Sequence, residues 1–434
     1  MAGDAAPELY APAFNFGADP QPLLPLAEWI NGLAFKNIAF TDHGLPVVKI
    51  AEIKGGFSDA TKRTDGVYDD RVRLRDGDLL FCWSGQPETS IGTFVWDKGD
   101  AWLNQHIFRV LPNNDIDPRF FRFLMLYLQP NFQEIARNKQ TTGLGHVTKG
   151  DLGMMMVQVP SRPEQERIAD ALQPVQDRLD LNRQTAATLE EMARALFKSW
   201  FVDFDPVHAK AEARDTRLPA DIAALFPEDL DDDGLPCGWV WKRADKIASS
   251  VRSTADPKIM PPETPYVGLE HLPRKSLGMG NHGRASEVES GKLRFEAGDL
   301  LFGKLRPYFH KVSVMPFEGI ASSDIFVFRA KAEKYRALMY FGFSDDKFVA
   351  SASGASTGTR MPRADWSYMS EQQFASDDGK VLEAFNAIAL SHVTQIGERL
   401  AECQKLEQLR DTLLPRLLSG ELRVDDAADS IAAA

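Results

Sequence analysis

The chain has 434 residues, 44% hydrophobic and 26% charged, a balance that excludes fibrous and disordered classes at a length that predicts at least two domains. Fifty basic against 62 acidic residues give a formal charge of -12, which for the chain taken as one body disfavours a nucleic-acid partner. Cys82, Cys237 and Cys403 are too few and too widely spaced for a disulfide framework or a zinc knuckle, and neither a leader-like start nor an apolar run of roughly 18 residues is present, so the sequence reads as cytoplasmic.

Taken in order, the chain repeats itself once. Gly44-Leu45-Pro46-Val47-Val48-Lys49-Ile50 is paralleled by Thr264-Pro265-Tyr266-Val267-Gly268-Leu269, and Gly77-Asp78-Leu79-Leu80-Phe81 by Gly298-Asp299-Leu300-Leu301-Phe302, about 221 residues further on. His106-Ile107-Phe108 is echoed by Asp324-Ile325-Phe326, and Thr142-Gly143 by Thr357-Gly358. Matches in one collinear order predict two copies of one unit. Each copy begins with short β-branched and aromatic runs punctuated by Gly, Asp and Pro, the pattern of a compact α+β domain.

Each copy then turns helical. From Pro163, the positions Ile168, Leu172, Val175, Leu179, Asn182, Ala186, Leu189, Ala193, Leu196 and Trp200 alternate steps of four and three. Pro163 suits a first helical turn, whereas Pro174 inside the run predicts a kink or break. Asn182 on this seam is either a register-setting polar residue or a tolerated exception. The second copy shows Leu382, Phe385, Ala389, Val393, Ile396, Leu400 and Cys403, then a register drift and Leu406, Leu409, Leu413 and Leu417 before the stop signal Gly420. An apolar stripe needs a partner, and two long helices in one chain supply each other as an antiparallel pair. The alternative is that each packs on its own globular part.

Charge is unevenly spread. Residues 203–234 carry about -7 and 376–434 about -5, while 235–375 carry about +5, so the acidic balance resides mainly in a connecting segment, the second helix and the tail. In the first part, Lys62-Arg63 is followed by Arg71, Arg73 and Arg75, which suits either a solvated strand face or phosphate contact.

Catalytic motifs are missing: no phosphate-binding Gly loop, nucleophile elbow, His-Glu-x-x-His or dinucleotide fingerprint occurs. No Asn- or Asp-Pro-Pro-Tyr segment of the kind that holds a flipped base is present; the nearest string is Met260-Pro261-Pro262-Glu263. Glu52-Ile53-Lys54 has only half of a metal-dependent nuclease pattern, and His310, near Lys304 and Arg306, reads as a packing or hydrogen-bonding residue.

Several segments resemble the specificity subunits of type I restriction-modification systems. Leu196-Phe197-Lys198-Ser199-Trp200-Phe201-Val202-Asp203-Phe204-Asp205-Pro206-Val207 is similar to that family's central junction, and Val159-Pro160-Ser161-Arg162-Pro163-Glu164-Gln165-Glu166-Arg167-Ile168 to its lead-in to the first spacer helix. Leu413-Leu414-Pro415-Arg416-Leu417-Leu418-Ser419-Gly420-Glu421-Leu422 is similar to its C-terminal close, and Leu235-Pro236-Cys237-Gly238-Trp239 to the start of its second domain. One departure stands out: the second copy has Met369-Ser370-Glu371-Gln372-Gln373-Phe374-Ala375 where the pattern has a proline before Glu-Gln.

The resemblance implies an α+β fold in which two target-recognition domains, 1–160 and 235–375, alternate with spacer helices 161–202 and 376–424 around a pseudo-twofold repeat. An acidic linker, 203–234, and a disordered tail, 425–434, complete that division. It implies a non-catalytic subunit that reads an asymmetric, bipartite double-stranded DNA target. Two modification subunits would bring S-adenosylmethionine for adenine methylation, and restriction subunits would bring ATP- and Mg-dependent cleavage; no cofactor or metal is expected in this chain. The residues placed at the DNA are Lys62 and Arg63 for phosphate and Ser84, Gln86, Gln140 and Thr141 in the first domain, with Lys304, Arg306, Thr357 and Arg360 in the second; ordinary surface roles are the alternative for each. Arg178, Arg183 and Arg194 are either a partner-docking surface or solvated helix faces. A coiled-coil assembly scaffold whose globular parts bind proteins is the competing function.

Overall fold

The computed structural model describes residues 16, 18–36, 38–140, 143–354, 362–377 and 379–432. They form two units, one of the residues up to 177 together with those from 406 onward, the other of residues 178–405.

In the first unit an antiparallel sheet runs Ala27–Asn31, Ile107–Pro112, Leu79–Cys82, Gly92–Val95 in spatial order. A second sheet runs Arg63–Thr64, Leu45–Val48, Ala101–Leu103, Arg73–Leu74, with its two inner strands parallel. The second unit repeats the plan. Its first sheet runs Ala248–Val251, Ile325–Ala330, Leu300–Gly303, Val312–Val314, and in its second Pro265–Val267 lies parallel to Gly319–Ala321, which is antiparallel to Lys292–Phe295.

The recurring Gly-Asp-Leu-Leu-Phe string is explained by this architecture. Gly77 and Gly298 take φ of 92° and 87°, a left-handed turn that a side chain would strain. The carboxylates behind them cap the turn, Asp78 accepting the Arg75 amide and Asp299 the Glu296 amide, both at 2.8 Å. Each is also paired with an arginine, Asp78 with Arg109 at 2.8 Å and Asp299 with Arg329 at 2.7 Å. The strand that follows is buried on both faces, hence its unbroken apolar run: Leu79 and Phe81 enter one core and Leu80 another, as do Leu300 and Phe302 against Leu301.

Two long helices, Arg162–Phe201 and Lys380–Leu418, follow the two domains. At 1.5 Å per residue each is about 60 Å long. In the first unit Ile168 and Leu172 pack with Leu413, Leu414 and Leu417; in the second, Ala193, Phe197 and Trp200 pack with Val381, Leu382, Phe385 and Ala389. In each unit the earlier part of one helix meets the later part of the other, so they pair antiparallel. The fold is thus α+β with paired long helices.

Four local expectations differ from the structure. The first helix runs unbroken through Pro174, whose neighbours Leu172 and Val175 are buried; their packing outweighs the lost hydrogen bond. Residues 203–234 are more than a linker: they include the helices Asp205–Ala211 and Ala220–Ala223, and Val207 and Phe226 enter the second unit's core. Val424–Ala432, expected in a disordered tail, is helical, and Ala427 is buried in the first unit's core. The second long helix starts at Lys380 without a proline: Asp377 caps it, accepting the Val381 and Leu382 amides at 2.9 and 3.0 Å, directly after the strand Gln373–Ser376.

Candidate nucleic-acid interface

The central strand of the first sheet ends, in each unit, in a loop that pairs with a segment much later in the chain. In the first unit Ser84–Gly85 forms an antiparallel pair with Gly145–His146, so two loops singled out separately in the sequence lie side by side. Gly145 is required by close approach: a Cβ there would lie 2.1 Å from the Ala136 carbonyl oxygen. Gln86 is exposed and its side chain accepts a hydrogen bond from Thr89 at 3.0 Å; Gln140 is exposed at the end of the helix Gln129–Asn138. Thr141 lies outside the described residues. Beside this loop, Trp83 donates to Asn31 at 3.0 Å and packs 5.1 Å from His106, whose φ of 78° is rare for a residue with a side chain. Neither group was visible in the sequence, because the contacts join distant positions.

Lys62 and Arg63 lie apart from this pair, at the edge strand of the second sheet. Lys62 sits over the Phe40 ring at 5.9 Å and Arg63 over Phe57 at 5.7 Å, with the Arg63 guanidinium donating to the Gly44 carbonyl at 3.1 Å. The alternating arginines are engaged with acids of their own unit: Arg71 with Glu28, Arg73 with Asp100, and Arg75 with Asp70. That arrangement fits the solvated strand face.

In the second unit the corresponding loop, Lys304 to His310, pairs with residues 362–364: the Arg306 amide donates to Pro362 and the Ala364 amide to Lys304. Thr357 and Arg360, just before that segment, lie outside the described residues. Lys304 is half-buried, donating to the Ser323 carbonyl at 2.9 Å and lying 4.5 Å from the centre of the Phe326 ring. Burial holds its ammonium below the usual lysine range; Asp324 opposes this, while Arg252 and Arg363 reinforce it. The exposed groups here are Arg252, Arg274, Arg363 and Tyr308, while Arg306 is half-buried. Arg306, at φ 51°, opens a turn containing the exposed Tyr308, and Arg274 stacks on Phe309 at 4.2 Å. Arg252, Arg274, Arg363 and Tyr308 were missed in the sequence because only the fold gathers them.

His310 closes this turn. It is buried, its Nε2 3.0 Å from the Ser344 carbonyl and its Nδ1 3.2 Å from Asp346, and burial holds its imidazole below the ordinary range against the pull of Asp346. Glu52 serves structure as well: its side chain accepts the Lys49 amide at 2.9 Å and caps a short helix.

The three helix arginines differ among themselves. Arg178 bridges to Glu402 of the other long helix at 2.7 and 3.2 Å, and this contact, ahead of Asn182 and Arg399, holds the Glu402 carboxyl below its usual range. Arg183 lies 3.7 Å from Asp180. Arg194 is directed inward, to Glu190 and Ser344. Among the described residues no group of three or more His, Cys, Asp or Glu is placed to hold a metal, and no helix is long and apolar enough to cross a membrane.

Residues 26–191 match the family model described as type I restriction modification DNA specificity domain. The chain is 34% identical over 156 residues to the HindI specificity subunit of Haemophilus influenzae, a match covering 35% of this chain and 34% of that protein. It is 23% identical over 328 residues to the EcoDI specificity subunit of Escherichia coli, covering 71% of each. The chain is thus similar to type I restriction-modification specificity subunits, over residues 26–191 by the family model and over 71% of its length by the EcoDI subunit. A solved S subunit of that system from M. genitalium aligns with 95% of this chain and 98% of its own, at 14% identity and a TM-score of 0.48.

The motifs that carry this similarity have structural work to do. At the central junction Trp200 packs edge-on against Phe226 at 5.1 Å, and Phe201 against Phe385 at 5.0 Å, locking the end of the first long helix to the start of the second. In the lead-in, the buried Gln165 donates to the Pro160 carbonyl at 2.9 Å. At the C-terminal close, Leu413, Leu414, Leu417 and Leu418 are buried, and Gly420 at φ 71° turns the chain so that the Leu422 amide reaches the Arg416 carbonyl at 2.9 Å.

Proposed function

We propose that this chain reads an asymmetric, bipartite double-stranded DNA target, one half-site per domain, for a type I restriction-modification complex. It would have no catalysis of its own. The long helices dock two modification subunits, which bring S-adenosylmethionine and methylate adenine, and restriction subunits, which supply ATP- and Mg-dependent cleavage.

The observation that carries this reading is the duplicated loop pairing on one scaffold with different chemistry. The same sheet presents Ser84 and Gln86 beside residues 145–146 in one unit, and Arg306 and Tyr308 beside residues 362–364 in the other. Like scaffolds with unlike edges suit two half-sites of unlike sequence, since base discrimination comes from side chains at the groove and not from the framework. The overall charge of -12 fits a chain that leaves much of the phosphate contact to its partners, because affinity grows with the number of phosphates neutralised.

Selection from a random double-stranded DNA pool, with the chain assembled with its modification partners, tests the proposal. Enrichment of two fixed half-sites separated by unread base pairs is the expected result. Retention without sequence preference would overturn it and favour the assembly scaffold.

A further inference from the structure

We infer that Arg194, on the first long helix, is a positioning residue for the loop that carries Arg306. The Ser344 carbonyl oxygen takes a hydrogen bond from Arg194 Nη1 at 3.1 Å and lies 3.0 Å from His310 Nε2, so helix and loop share one acceptor with its two lone pairs. A second tie runs alongside. Glu190, one helical turn before Arg194, accepts from Arg194 Nε and Nη2 at 3.0 and 2.7 Å, from the Leu277 amide at 2.9 Å and from the Ser276 hydroxyl at 3.0 Å. The Lys275 amide in turn donates to the His310 carbonyl at 2.8 Å. Glu190, His310 and Ser344 are all buried, where an unmade hydrogen bond is costly, so these links hold one geometry.

Backbone strain gathers at the same place. Among the described residues seven without a glycine's freedom take positive φ, and three of them, Lys275 at 54°, Arg306 at 51° and His310 at 52°, belong to this loop pair. Such conformations persist only where surrounding contacts enforce them. The Glu190–Arg194–Ser344–His310 chain supplies that enforcement from the helix. In the first unit the matching loop is braced by its own domain: Gln129 donates to the Ile91 carbonyl at 2.7 Å, and Arg137 pairs with Glu88 at 3.1 Å. Among the described residues, the second domain's loop is thus the one tied to the long helix.

The role in DNA reading rests on the function proposed above, whereas the brace itself does not, so the test has two readouts. Amide exchange along residues 304–310 is compared in the full-length wild type, Arg194→Met, Arg194→Lys and His310→Gln. Methylation by the complex with its modification partners is measured on the selected target and on targets altered in one half-site. Arg194→Met is expected to speed exchange at 304–310 about tenfold or more and to cut discrimination at the second domain's half-site by a similar factor, with the first half-site unaffected. Arg194→Lys and His310→Gln, which keep a donor to the Ser344 carbonyl, are expected to retain most of both. Unchanged exchange in a folded Arg194→Met chain, or equal loss at both half-sites, would overturn the inference. Faster exchange in the variant beside a wild-type complex that prefers no sequence would uphold the brace and overturn the DNA reading.

Discussion

Gln165 accepts the backbone amide of Asp117 at 2.8 Å and thereby fastens the start of the first long helix to the start of the helix Pro118–Tyr127. Asn386 of the second long helix does the same for the second domain, accepting the Ala337 amide at 3.0 Å, near the start of the helix Arg336–Phe343. These amides have no partner within their own helices. Gln165→Ala and Asn386→Ala should each lower stability by about 1–3 kcal/mol. Because they lie in different units, their effects should add in the double variant. Chemical denaturation of the three variants checks this; a neutral double variant would contradict it.

His271 should make stability depend on pH in mildly acidic solution. Its Nδ1 accepts the Gly268 amide at 2.9 Å, which requires that nitrogen to be unprotonated. Burial depresses the imidazole, His282 and Lys311 act in the same direction, and Glu270 and Glu287 oppose them. A base depressed in the folded state binds fewer protons than the unfolded chain, so its contribution is complete above the ordinary imidazole value of about 6.5 and declines as pH falls below it. Denaturation midpoints between pH 8 and 5 should fall less steeply in His271→Asn than in the wild type. Equal slopes would count against the assignment.

Thiol chemistry should be confined to one cysteine. Burial pushes the Cys82 thiol up to about 12, and Cys403 is buried with its Sγ 3.8 Å from the Leu179 carbonyl, while Cys237 is exposed. A maleimide at neutral pH should label Cys237 alone in the folded chain and all three thiols after denaturation, as counted by mass spectrometry. Rapid labelling of Cys82 in the native state would show that the first domain's core opens readily.

Arg306→Ala should distinguish base contact from phosphate contact. Loss of a bidentate base contact costs about 1–3 kcal/mol at one position and relaxes specificity there, whereas loss of a phosphate contact weakens all sequences alike and lowers the salt slope. Its place at the start of the turn that carries the exposed Tyr308 leads us to expect the first pattern, measured on targets altered one base pair at a time. A uniform loss would assign Arg306 to phosphate.

What the sequence made legible was what repeats or keeps a period. The Gly-Asp turn recurs because the strand after it must be buried on both faces, and the heptads from Ile168 to Trp200 and from Leu382 to Leu417 record the buried stripe of two paired helices. Local pattern said less about where a polar side chain ends. Arg194 looks like any charged helix residue until the fold brings Ser344 beside it, 150 positions later. Lys304 likewise follows the right strand but donates to the Ser323 carbonyl, while Arg252, Arg274 and Arg363, scattered in sequence, gather around its loop.

The central claim is that this chain selects the DNA sites that its partners modify. The most direct test is a genome-wide map of methylated adenines in cells carrying the modification partners, with this chain present, deleted, or altered only at Arg306. The account predicts one asymmetric, bipartite motif that disappears on deletion and becomes degenerate in a single half with Arg306→Ala. A methylation map unchanged by deleting the chain would contradict it.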